Sequence, residues 1–330
     1  MIQRIFWGSA FAAFVAAVVQ VSAQTTASPK PSYRAPRTSW GAPDLHGDYT
    51  NKDEANTPLE RPQQLAGKDL KDFSDADLAK LAKDRSDLAR QIAGGIGGAE
   101  TGAGPTHWYD NLAAHGSRPW FIVDPPDGQL PALTPQAQRR EAAVALLNDA
   151  RNGEGRADSP DDRSMYDRCI TRGLPGSMMP AIYGNAYQIV QTPDTIAIRY
   201  EMIHETRIIP IDGRPHAASH IHLLMGDARG RFEGDTLVVE TTNFTNRTHF
   251  GYNNRYNSEK EKIVERFTPT APGKLNWQVT ITDPEVWTRP WTFAMTLTRD
   301  DSQPIFEYAC HEGNYGLRDI LSGARSEETK

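Results

Sequence analysis

Leu275-Asn276-Trp277-Gln278-Val279-Thr280-Ile281-Thr282 is the stretch on which the fold turns. Large apolar side chains fall at every second position, with amides and hydroxyls between them. Successive side chains of a strand point to opposite faces, so Leu275, Trp277, Val279 and Ile281 share one face and the polar residues share the other. Immediately upstream, Pro272-Gly273 supplies a turn, and Lys262 to Thr268 pairs back as the first arm of a hairpin. Downstream, Trp291, Phe293, Met295 and Leu297 oppose Thr292, Ala294, Thr296 and Thr298. Asp300-Asp301 then turns the chain into a further strand, Ile305 to Cys310.

The same texture extends back to Tyr187. Thr195 to Met202 alternates Ile196, Ile198 and Tyr200 against Ala197, Arg199 and Glu201. Arg207 to Ile211 ends at the hairpin signal Asp212-Gly213, and Phe232 to Thr236 turns into Leu237 to Phe244. The expectation is eight or nine antiparallel strands over residues 181–330. A meander of that length closes on itself because closure removes exposed edges. The expected fold is mainly β, a lipocalin-like antiparallel barrel with one apolar face and one face toward a polar lumen or solvent. Residues 40–180 read as a helical and loop-rich cover. Ser74-Asp75-Ala76-Asp77 resembles a capping box ahead of a helix that stops at Gly94-Gly95. Thr134-Pro135 starts a second helix to about Arg151, and Ser159-Pro160 a third that passes Cys169 to Gly173. The glycine-rich stretch 94–104 lacks a closing Gly-Lys-Ser/Thr and a preceding strand, so it reads as a connector or lid rather than a phosphate loop.

The chain has 330 residues, with 36 Lys plus Arg against 42 Asp plus Glu. A pI near 5.9 with no basic run argues against a nucleic-acid partner, and a mean hydropathy of −0.59 excludes a polytopic membrane protein. Arg4, the apolar run Ile5 to Val21 and the small-residue site Val21-Ser22-Ala23 read as a signal peptide over residues 1–23. The competing reading is a single membrane anchor. A polar, Pro-rich tail, expected to be disordered, follows over 24–39. The expected location is the periplasm or the exterior, with no membrane partner after cleavage. In that oxidising setting the two cysteines, Cys169 and Cys310, are expected to bridge; free buried thiols and a nucleophile are the alternatives.

Four clusters carry candidate chemistry. Glu201 to Arg207 gathers carboxylates, His204 and Arg207, which suit acid–base work and an anion clamp; a solvated ion-pair ladder explains them equally. His216, His220 and His222 have the side-chain type and spacing of a zinc or copper site, but no third ligand is fixed, and a polar loop is the simpler account. Glu307-Tyr308-Ala309-Cys310-His311 closes the last strand, with Glu307 and His311 on one face. Glu285 to Trp291 brings Trp287, Trp291 and Arg289 into one bend, suited to stacking on a ring or to plugging the barrel end. His107 to Asn111 is a similar aromatic-polar loop that could cover the mouth. No Gly-x-Ser-x-Gly elbow and no His-Glu-x-x-His occurs.

Arg168-Cys169-Ile170-Thr171-Arg172-Gly173-Leu174-Pro175, Glu233-Gly234-Asp235-Thr236-Leu237-Val238-Val239, Trp287-Thr288-Arg289-Pro290-Trp291 and Tyr308-Ala309-Cys310-His311-Glu312-Gly313-Asn314 resemble, in combination, a family of exported bacterial proteins of unassigned activity. The likeness runs from about Trp40 to Arg325. It implies a bacterial exported origin and gives no residue a role.

The functional expectation is an exported enzyme doing acid–base chemistry, a lyase, hydrolase or isomerase, on a small polar ring compound such as a sugar or aromatic glycoside. Glu201, His204 and His311 are the expected proton-transfer groups. Arg207 and Arg289 would meet negative charge, and Trp287, Glu307 and Tyr308 would hold the substrate. No cofactor is expected, a divalent metal at His216, His220 and His222 being the minority possibility. The alternatives are a lipocalin-like carrier that binds a small ligand without catalysis, and an interaction module of a larger complex.

Overall fold

The computed structural model describes residues 33–96, 109–149, 157–250, 255–302 and 304–328. The expected signal peptide and most of the glycine-rich connector lie outside them. Twelve strands and three α-helices are present. The strands are β1 (Gly47–Thr50), β2 (Ile122–Asp124), β3 (Ala186–Gln191), β4 (Thr195–Tyr200), β5 (Thr206–Pro210), β6 (Asp227–Glu233), β7 (Thr236–Thr242), β8 (His249–Phe250), β9 (Arg255–Tyr256), β10 (Lys262–Ala271), β11 (Lys274–Thr282) and β12 (Trp291–Arg299). The helices are α1 (Asp75–Ile96), α2 (Pro135–Asp149) and α3 (Tyr315–Glu328).

One antiparallel sheet runs in the order β5-β4-β3-β1-β12-β11-β10-β7-β6 and curls into a nearly closed nine-stranded barrel. The pairing register keeps each apolar stripe in line with the next. Phe267 faces Trp277, Trp277 faces Met295, Tyr187 faces Tyr200, and Ile196 faces Ile209. This continuous stripe points inward. Trp277 lies edge-on to Phe293 at 5.4 Å and stacks with Phe267 at 6.3 Å, while Trp291 lies 5.9 Å from Phe293. Of the two places expected for the polar face, a lumen or solvent, the threonine and amide stripe takes solvent, and the interior is a core of aromatic and aliphatic side chains.

Among the described residues, charged groups enter this interior near the β5–β6 seam. Arg207 on β5, 3 % exposed at its side chain, pairs with the fully buried Glu265 on β10 at 2.5 Å. Arg207 Nη2 also donates to Thr241 Oγ1 on β7 at 2.6 Å, and Trp277 Nε1 donates to Glu265 Oε1 at 3.1 Å. β5 and β6 are the two ends of the sheet path, so Arg207 reaches across the seam from inside. At the seam itself Gly230 of β6 admits Ile209 and Ile211. A Cβ there would come within 2.7 Å of Ile211 and 3.0 Å of Ile209.

Several connections depart from the sequence reading, each for a local reason. β1, four residues from the expected cover, sits in the wall between β3 and β12. β2 takes the earlier part of the same β12 edge. Between them the buried Glu54 carboxylate accepts the Thr296 N–H at 3.2 Å and the Ser117 N–H at 3.0 Å. The third helix is a single 3-10 turn at Pro160–Asp162, and Cys169 takes a left-handed φ of 55° that no continuing helix permits. Asp212-Gly213 is not a hairpin turn: β5 pairs back with β4, and a long loop leads on to β6. Ile305 to Cys310 does not form a strand, because both edges of β12 are already taken by β11, β1 and β2. It leaves the sheet as an extended strap. Residues 33–39, part of the expected tail, are ordered: Ala35 N–H and the Arg37 guanidinium both bond Asp235 at the β6–β7 turn. Both capped helices start as read, with Ser74 Oγ accepting Asp77 N–H at 3.2 Å and Thr134 Oγ1 accepting Ala137 N–H at 3.1 Å.

The interior ion pair leads to a stability prediction. Removing one charge strands the other in a dry core, so Arg207→Met should cost about 3–5 kcal/mol. The double variant Arg207→Met with Glu265→Leu should recover much of that loss. Urea midpoints of the two variants measure both; a double variant no more stable than the single would show that the ion pair itself, not an orphaned charge, is what the barrel needs.

Candidate functional site

The sharp turn between β4 and β5 decides where the candidate groups go. Met202–His204 forms a 3-10 turn in which Ile203 and His204 adopt left-handed φ values of 64° and 48°. This turn separates Glu201 at the end of β4 from Arg207 on β5. Arg207 is sent inside the barrel, whereas Glu201 stays at the rim. Arg207 is thus bound to Glu265 and is not available as the anion clamp read from the sequence.

At this rim a cleft of about 740 Å³ opens between the wall and the strap. Its wall side is the end of β1 at Thr50, the start of β3 at Ala186, and Glu201. Its other side is the strap, with Phe306, Glu307 and Tyr308. The floor is built on Asn185, which is 1 % exposed. Asn185 Nδ2 donates to Asp110 Oδ2 at 2.9 Å and to Ala181 O at 3.0 Å, and its Oδ1 accepts Ala181 N–H at 2.8 Å. Glu201 Oε2 accepts the Ala186 N–H at 3.1 Å. Burial raises the Glu201 carboxyl above its ordinary range, and the negative charge of Asp110 adds to the effect. Lys52, also on the lining, pairs with Asp300 at 3.2 Å.

The aromatic side of the cleft is equally fixed. Tyr183 and Tyr308 stack with centroids 6.3 Å apart, and their hydroxyls lie 3.3 Å apart. Burial, followed by the neighbouring Tyr183 hydroxyl, raises the Tyr308 phenol above its ordinary value. Phe306 leaves 68 % of its surface exposed beside them. Two ties hold the strap in place. The Cys169–Cys310 disulfide anchors its far end, and His204 Nδ1–H donates to the Tyr308 carbonyl at 2.8 Å. Cleft, strap and ties together make a preformed pocket with ring faces on one side and carboxylate and amide acceptors on the other.

Glu201, Glu307 and Tyr308 therefore come together as the sequence suggested. His204 acts on the strap backbone and does not line the cleft. His311 is exposed beyond the bridge, where its carbonyl accepts the Asn314 N–H at 3.3 Å; without a strand it shares no face with Glu307. Trp287 is buried edge-on to Trp291 at 5.7 Å, and Arg289 bonds Asp124 of β2 at 3.0 Å. Both lie at the Trp291 end of β12. Trp291 is about 24 Å of strand from Thr298, which pairs with Thr50 beside the cleft. The bend read as a stacking site plugs the barrel instead.

The histidine loop is held by other partners. His216 lies 3.0 Å from Asp227 and 3.6 Å from Glu240, His222 Nδ1–H donates to Phe244 O at 2.9 Å, and His220 is exposed. Among the described residues no three His, Cys, Asp or Glu side chains gather as a metal site, and no helix is long and apolar enough to cross a membrane. Sequence reasoning missed Asn185, Tyr183, Phe306 and Lys52. The aromatic-polar loop at Tyr109-Asp110-Asn111 was the one sign of Asp110.

No family model matches the chain, and no curated protein sequence matches it. Among solved structures it is similar to the crystal structure of a mutant of the fluorescent protein UnaG, at 13 % identity and a TM-score of 0.23, over 41 % of this chain and 85 % of that one. At that score the barrel assignment rests on the strand pairing above.

Two predictions follow from this geometry. In the folded state Glu201 binds its proton more tightly than in the unfolded chain. Its contribution to stability is therefore full below the ordinary carboxylate value of 4.5 and is lost as pH rises through the raised one. Glu201→Gln should match wild type at about pH 4 and become progressively more stable than wild type toward neutrality, read as thermal midpoints across pH. Reduction of the disulfide, which joins residues 141 apart, should lower stability by up to about 5 kcal/mol on the chain-entropy model. Hydrogen exchange should then rise most over residues 304–310; unchanged protection there would mean the bridge does not hold the strap.

Proposed function

We propose that this protein binds a small polar ring compound, such as a sugar or aromatic glycoside, in the rim cleft. The observation that carries the reading is the pairing of the stacked Tyr183 and Tyr308 rings with the fixed acceptors Glu201, Asp110 and Asn185 in a cavity of about 740 Å³. Aromatic faces suit the apolar face of a ring, and anchored carboxylates accept its hydroxyl or amine protons. The site differs from that of a lumen carrier: the ligand sits at the rim, because the interior is filled by Trp277, Phe267 and Phe293. The Cys169–Cys310 bridge supports a periplasmic or secreted location, in line with the resemblance to exported bacterial proteins.

A second reading, acid–base catalysis on the same ligand, is favoured by one observation. Glu201, whose carboxyl is raised by burial, shares the cleft lining with the carboxyl of Asp110, and paired carboxyl groups are the side chains that acid–base work uses. Under that reading Glu201 donates the proton, and His204 serves as a positioning residue through the strap.

Thermal shift against a panel of sugars and aryl glycosides tests binding. A ligand at a hundred times its Kd should stabilise the fold by about 2.7 kcal/mol. Phe306→Ala, a change at an exposed side chain, should leave the unliganded Tm unchanged and weaken binding about tenfold. Mass spectrometry of the same mixtures decides between carrier and enzyme. A bound ligand recovered intact favours the carrier, whereas turnover lost in Glu201→Gln favours the enzyme.

A further inference from the structure

The strap borders a second cavity. It measures about 410 Å³ and is lined by Tyr166, Asp167, the Cys169–Cys310 bridge, Gly313 and Asn314. Glu307 and Tyr308 line both this cavity and the rim cleft. Each volume alone is of the size that holds a small ligand. The two spaces follow one another along the strap, the first beside residues 304–308 and the second beside 307–314.

The second cavity is smaller and more open than the first, and its walls are also tied together. Asn314 Nδ2 donates to Asp167 O at 2.7 Å, and Asn314 Oδ1 accepts Leu317 N–H at 3.2 Å at the start of α3. The disulfide fixes one wall to the other. Like the rim cleft it is lined by a tyrosine (Tyr166) and an acidic residue (Asp167), whose carboxylate pairs with Arg163 at 3.4 Å. Glu307, at the boundary, has no ion pair among the described residues and faces both spaces.

We infer that the two cavities are adjoining subsites for one elongated ligand of two or more linked rings, which crosses the strap at Glu307 and Tyr308. This deepens the reading of the rim cleft as a ring-binding site and rests on it. The ligand class is an oligosaccharide or a glycoside with a second ring, and the rim cleft holds the first unit. Tyr308 lines both spaces, so it is a residue that both units would share.

Gly313 offers a clean test. Its φ lies outside the left-handed region, and a Cβ there would meet no atom closer than Ala309 O at 3.9 Å. Gly313 lines the second cavity, so Gly313→Phe adds a bulky ring at its edge without backbone strain, and Gly313→Leu is a smaller plug should Phe disturb folding. Titration calorimetry on the oxidised full chain would use β-1,4-glucose, α-1,4-glucose and β-1,4-N-acetylglucosamine series of one to four rings, with thermal midpoints as the folding control. In at least one series the affinity should rise tenfold or more between one ring and three. The plugged variants should keep the one-ring affinity and lose the rise. If one-ring ligands bind and lengthening gains nothing, or if the rise survives the plug, the two-subsite inference is wrong and the rim-cleft reading stands. If no ring compound of any length binds, the rim-cleft reading itself fails and takes the inference with it.

Discussion

The ion pair of Arg207 with Glu265 is the constraint around which the barrel closes. β5 and β6 share no strand ladder, so the sheet would otherwise end in two open edges. Arg207 spans that seam from within, reaching β7 through Thr241 and β10 through Glu265. Its cost in desolvation is offset only because Thr241 and the Trp277 indole supply further bonds. The narrow approach at Gly230 brings Ile209 and Ile211 over the same gap. A ring-filled interior follows, and the cleft of about 740 Å³ lies at the rim instead of in the lumen.

The rim is where short elements accumulate. β1, the start of β3, the β4–β5 turn and the strap converge there, and each is held by a side chain rather than by a long ladder. Asn185 ties the loop carrying Asp110 to the wall, Glu201 caps the Ala186 N–H, and His204 holds Tyr308 through its carbonyl. Single side-chain bonds of this kind fix geometry more than they add stability. That suits a site which must present ring faces and acceptors at set positions.

The barrel was legible because its longest strands alternate strictly, as Leu275 to Thr282 and Trp291 to Leu297 do. The bridge was legible because two cysteines had one partner each. Glu201, Glu307 and Tyr308 were found because they sit in dense polar or aromatic clusters. Arg207 was misread because alternation does not say which face is inward when that face carries a charge. The turn at Met202–His204 also hid itself: β-branched Ile203 rarely adopts a positive φ, so no glycine or asparagine marked the break. β1 spans four residues, too few for a period to register. The strap read as a strand because its residues alternate well enough; that β12 has no vacant edge is a tertiary fact.

Because residues 304–308 form one side of the cleft and residues between Tyr49 and Asp300 form the others, the cleft is completed by a part of the polypeptide made after β12. During vectorial synthesis the pocket has only one jaw until that segment emerges. Under the proposed reading, capture of a ligand waits for this late segment, and the Cys169–Cys310 bridge that ties it down can close only after it.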